Sequence, residues 1–147
     1  MRLKRLLVIE TRMRAKLFLA IPLLFSTACK PPTPAEQMDS VISWLATAGM
    51  AGDAWLRHTT PDKYTRQTLE LSHDTLLQIS DHLLKSPPPG IDTASLDSVL
   101  TRSRGRIAQM ARLVEAKNSP AFVSQLDSLR GDQRIVKRFS GSIESKQ

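Results

Sequence analysis

An all-α chain is what three observations predict. From Met38 onward apolar residues recur at three- and four-residue steps, the spacing of helices that each bury one stripe. Proline-bearing breaks at Thr60-Pro61, Ser86-Pro87-Pro88-Pro89-Gly90 and Asn118-Ser119-Pro120 divide that pattern into four lengths. Strand-like alternation bounded by turn dipeptides does not occur in it. The expectation is an up-down bundle of three long helices plus a fourth, broken one, forming a single helical domain over residues 34–147.

The first helix, expected over 34–57, opens with Thr33 as N-cap, Pro34 in the first turn and Glu36 three residues after the cap, a capping box. Its stripe runs through Met38, Val41, Ile42, Leu45, Ala48, Gly49, Gly52, Trp55 and Leu56. Two glycines inside a helix cost about 1 kcal/mol each relative to Ala, so the small stretch Ala48 to Gly52 needs compensation. Close approach of a neighbouring helix is the favoured explanation, ahead of a ligand cavity.

Arg57-His58-Thr59 forms the first break, and Thr60-Pro61 restarts the chain as cap and proline. The second helix, expected over 61–85, carries Leu69, Leu76, Ile79 and Leu83 on its buried side, with Leu77 and Leu84 flanking. Its short connection makes it the antiparallel neighbour of the first. Three consecutive prolines then end it, because none can donate a helical hydrogen bond.

Asp92 or Thr93 caps a third helix over 93–117, whose inner side reads Leu96, Val99, Leu100, Ser103, Ile107, Met110, Ala111 and Val114. Gly105 marks a bend or a close contact on it. Ser119 is expected to cap the last segment, 120–145, through Phe122, Leu126, Leu129, Val136, Phe139 and Ile143. Gly131-Asp132 reads as a break or kink there, with Asp132 as a fresh cap where the segment splits. The mature methionines Met38, Met50 and Met110 read as core filler.

The formal charge of +7 suggests nucleic acid only until its location is considered. Six of the 21 Lys and Arg lie in residues 1–29 with a single acid, Glu10, which leaves +2 for the remainder. That remainder is acidic before residue 100 and basic after it. Arg102, Arg104, Arg106, Arg112, Arg130, Arg134, Lys137 and Arg138 carry the basic half, with Arg102 and Arg106 on one face and Arg104 on another. Without interleaved aromatics this is not a nucleic-acid surface. Attraction between the two halves is the simpler reading, with anionic headgroups or an acidic protein as the alternative partner.

Few residues suggest chemistry. Glu70 and His73 form a Glu-x-x-His pair on one helical face, the half-motif of a di-metal bundle, but no second pair exists. His82 lies about half a turn of azimuth from His73, and His58 lies in a break. Phosphate loops, nucleophile elbows and His-Glu-x-x-His are absent from the sequence. The expectation is a non-enzymatic binding or structural module with no cofactor and no metal; the alternative is a metal- or cofactor-binding bundle, or an enzyme, using Glu70 and His73.

The N-terminal segment carries the one specific motif. Arg14 and Lys16 lead into the apolar run Leu17 to Phe25, too short for a membrane span but suited to the apolar centre of a secretory signal. Ser26-Thr27-Ala28 precedes Cys29, the only cysteine in the chain. This arrangement resembles the signal peptide and lipobox of bacterial lipoprotein precursors, although Ser26 occupies the position that usually holds Leu. The resemblance covers residues 1–29. It implies cleavage of 1–28, lipidation of Cys29, and a short tether over 29–33 on the cell envelope. Lys30 in place of Asp implies the outer membrane, facing the periplasm. Cleavage after Ala28 as an ordinary secreted protein is the alternative, and the lone thiol argues against it. Glu10 is out of place in a basic leader, so Met13 is an alternative start.

Overall fold

The structure, a computed structural model, describes residues 31–144, and they form four helices. These are α1 (Pro34–Leu56), α2 (Asp62–Lys85), α3 (Thr93–Glu115) and α4 (Ser119–Glu144). Each packs against its neighbours in order, and α4 closes against α1, giving a four-membered up-down bundle. Across the bundle the backbones of α1 and α3 approach each other more closely than those of α2 and α4. Among the described residues no helix is long and apolar enough to cross a membrane.

Local signals place most helix ends. The Thr33 hydroxyl accepts from the Glu36 N–H, and the Glu36 carboxylate accepts from the Thr33 N–H at 2.6 Å, completing the capping box. Asp92, rather than Thr93, caps α3 by accepting from the N–H groups of Ala94 and Ser95. Two starts differ from expectation by one residue. Pro61 itself takes the cap position of α2 and offers no side-chain acceptor. Asn118, not Ser119, caps α4, its Oδ1 accepting from the Ala121 N–H at 3.2 Å.

The ends of α1 and α3 share one device. His58 and Lys117 adopt the left-handed conformation, φ 56° and 51°. Behind each, two N–H groups fold back: Thr59 to Ala54 and His58 to Trp55 in α1, Asn118 to Leu113 and Lys117 to Val114 in α3. This is the Schellman arrangement, here made without glycine.

The largest departure is in α4, which runs unbroken through Gly131 and Asp132. Asp132 is not a cap. It is 4% exposed and held by two arginines of α3, so tertiary ion pairing keeps this stretch inside one helix.

The core joins the apolar stripes of all four helices around Met38, Leu45, Leu69, Leu76, Leu100, Ile107, Phe122 and Leu126. On α2 the buried stripe is completed by Thr65, Ser72 and Ser80, all fully buried, positions that apolar periodicity alone does not single out. Ser72 and Ser80 donate to the carbonyls of Thr68 and Leu76, four residues back, so their burial leaves no unpaired donor. Met50 corrects the expectation that it fills the core: it is 64% exposed. Gly105 meets no neighbour, so it marks no close contact.

The small stretch of α1 divides in two. A Cβ on Gly52 would stand 3.0 Å from Phe122 Cε1 and 3.2 Å from Met110 Cε, so this glycine admits side chains of α4 and α3. The close approach expected here is thus of side chains into a notch. Gly49 has open space instead and lines a surface groove.

Candidate functional site

The leader, the cleavage position and Cys29 lie outside the described residues, as do Lys30 and the side chain of Ile143. Of the other residues singled out by chemistry, Glu70, His73, Arg102, Arg106 and Arg130 lie along grooves between helices.

Glu70 and His73 do share a groove. With Arg66 and Asp74 of α2, and Ala108, Arg112 and Glu115 of α3, they line a shallow hollow of 330 Å³. Helical spacing puts 66, 70 and 73 on the α3 side of α2, which is why they meet there. Arg66 is the centre of this cluster, 3.5 Å from the Glu70 carboxylate and 3.7 Å from that of Glu115. His73 Nδ1 lies 3.0 Å from Asp74 Oδ1. Glu70 therefore faces a guanidinium and His73 faces the neighbouring acid, rather than each other. Among the described residues, no group of three His, Cys, Asp or Glu is placed to hold a metal ion. His82 is exposed on α2, and His58 lines a separate hollow at the α1–α2 turn with Trp55 and Thr59 to Asp62.

The basic half resolves into specific pairs. Arg102 donates from Nε and Nη2 to Asp132 Oδ1 at 2.9 Å, and Arg106 Nε donates to Oδ2 at 2.8 Å. Arg104 points away and donates to the Thr101 hydroxyl. Arg130 holds both oxygens of Asp53 on α1 at 2.7 Å and also reaches Asp127. The Asp53 carboxylate, first by that hydrogen bond, pushes the Arg130 guanidinium above its ordinary range. The expected attraction between halves is thus carried by Arg130 with Asp53, while Arg102 and Arg106 pair within the basic half.

Sequence reasoning placed Arg102 and Arg106 on one face and missed their acceptor. The available signal was a carboxylate lying on the buried phase of the fourth helix, three residues past Leu129 and four before Val136. Trp55 was placed in the core and its second role was missed. Its indole N–H donates to Asp62 Oδ1 at 2.8 Å, and its ring lies 4.7 Å from that of Phe122. One side chain thereby ties α1 to α2 and α4.

In comparisons with protein-family models, curated proteins and solved structures, nothing matches this chain.

Proposed function

We propose that this protein is a lipid-anchored module of the bacterial cell envelope, carried on Cys29 and acting by binding or structure rather than by catalysis. The observation that carries the reading is the distance from the lipobox-like cysteine to the folded body. The capping box at Thr33 starts α1 only a few residues after Cys29, and Pro31 and Pro32 lie between. Four residues of extended chain reach at most about 14 Å. The bundle is therefore held against the bilayer surface, with the start of α1, the α2–α3 connection and the end of α4 all at the anchored end.

From that position the reachable partners are anionic headgroups and other envelope proteins. The ion pairs of Arg66 with Glu115, Arg102 and Arg106 with Asp132, and Arg130 with Asp53 support a non-catalytic role, because they brace neighbouring helices. The outer membrane is the proposed site, on the strength of Lys30 after the cysteine.

Intact-mass analysis of the protein from a bacterial host tests the anchor. The expected species begins at Cys29 and carries several acyl chains, which together hold a membrane where one binds only marginally. A Cys29→Ser chain is expected to leave the membrane fraction. An unmodified N-terminus at Cys29, or a Cys29→Ser chain that still sediments with membranes, overturns the reading.

A further inference from the structure

Three of the four grooves between neighbouring helices are crossed by ion pairs: Arg66 with Glu115 between α2 and α3, Arg102 and Arg106 with Asp132 between α3 and α4, and Arg130 with Asp53 between α4 and α1. The outer flank where α1 meets α2 has a different surface. Ala46, Gly49, Met50 and Asp53 face α4, which leaves Ser40, Thr47 and Ala54 on the opposite flank of α1. Arg66, Glu70, His73 and Asp74 face α3, which leaves Tyr64, Leu71 and Gln78 on the α1 side of α2. None of these six side chains is charged, the charges that continue the rows being Glu36 at the start of α1 and Lys85 at the end of α2; Tyr64 is 61% exposed and Leu71 is 56% exposed.

The two rows also differ in size. The α1 row is small and half-buried; the α2 row is long and exposed. Both repeat every seven residues. Because the helices are antiparallel and the Trp55 indole meets Asp62, Ala54 lies level with Tyr64, Thr47 with Leu71 and Ser40 with Gln78. The hydroxyls of Ser40 and Thr47 already donate to the carbonyls of Glu36 and Ser43. Covering this row therefore strands neither of those donors.

We propose that this flank pairs two copies of the chain about a two-fold axis parallel to the bundle. Such an axis preserves height and lays α1 of each copy over α2 of the other, so Leu71 of one copy seats on Thr47 of its mate and Tyr64 on Ala54. Small meets large at every level, which makes the flank its own complement, as an isologous contact requires. Two helices of this length span about 35 Å by 18 Å, or roughly 600 Å² per copy, at the lower edge of a stable interface. An uncharged centre with an aromatic, bounded by the charged Glu36 and Lys85 at the ends of the rows and by Asp81 beside them, matches the anatomy of such contacts. The parallel arrangement puts the starts of both α1 helices at one end, as a shared membrane demands. The pairing itself does not depend on lipid.

A photoreactive amino acid in place of Leu71, in the full chain expressed in its own membrane, tests this. The expected product is two copies of this chain joined between position 71 and the region of Thr47, whereas the same probe at the exposed Val123 of α4 gives no such product. Adding Thr47→Glu, with the melt measured alongside to confirm that the bundle still folds, is expected to reduce the product at least tenfold. An adduct with a different protein, no adduct at position 71, or an adduct indifferent to Thr47→Glu overturns the proposal. The intact mass of the joined species reports lipid on Cys29 separately.

Discussion

Arg106 Nε donates to Asp132 Oδ2 at 2.8 Å across the α3–α4 interface, and Arg102 takes the other carboxylate oxygen. The Asp132 side chain is 5% exposed while the side chains of Arg106 and Arg102 keep 26% and 43% exposure. Asp132 thus bears most of the desolvation, and both its oxygens are compensated by charged donors. Substituting Asp132→Ala leaves two cations to turn toward water. It is expected to lower stability by about 1–3 kcal/mol, less than for a fully buried pair, because both arginine side chains are partly exposed. Chemical denaturation of parent and variant measures the difference.

The two glycines of α1 are expected to respond in opposite directions. Gly52→Leu pushes into the Phe122 ring and the Met110 methyl and should cost about 1–3 kcal/mol through overpacking. Gly49→Ala meets nothing and gains the helical preference of alanine, so it should stabilise by about 0.5–1 kcal/mol. Thermal melts of the pair decide this, and equal effects would mean that the notch at Gly52 is not filled as described.

Lys117 pays for its left-handed backbone at the end of α3. Lys117→Gly should relieve the clash between Cβ and carbonyl that makes this region unfavourable for other residues. After allowing for the greater freedom of glycine in the unfolded chain, the gain is about 0.5–1 kcal/mol. A rise in melting temperature with unchanged helical content is the expected result.

Asp92 gives the fold a pH dependence of known sign. The hydrogen bond from the Ser95 hydroxyl, followed by that from the Ser95 N–H, holds its carboxyl below the usual carboxylate range. A depressed folded value means that the stabilisation is present above the unfolded value, near about 3.9, and is lost as pH falls through the folded one. Asp92→Asn keeps a cap but does not titrate, so the melting difference between parent and variant should close on acidification. Melts across the acid range measure it, and a constant difference would overturn it.

Helix number, order and most ends were legible in the sequence because they rest on short-range chemistry. Thr33 caps through a residue three away, prolines stop helices by lacking an N–H, and the stripe from Leu96 to Val114 needs only helical spacing. The same logic misread Gly131-Asp132. A glycine followed by a carboxylate is a cap in local terms, and only α3 supplies the arginines that make it a helix interior. Ser72 and Ser80 were missed for a related reason, since a hydroxyl is apolar enough for a core only once its donor is satisfied four residues back.

The Glu70 and His73 spacing was likewise visible, but not what each side chain would face. By itself, then, the sequence determined an all-helical chain, its breaks, its buried stripes and a lipobox-like Cys29. Tertiary structure alone decided that Gly52 receives Phe122 while Gly49 stays open, that Arg130 reaches Asp53, and that Tyr64 and Leu71 stay exposed beside the small side chains of α1. Periodicity and capping act over a few residues, where sequence spacing is spatial spacing. Ion pairs across helices join residues 26 to 77 positions apart, where which face meets which is set by how four stripes close around one core.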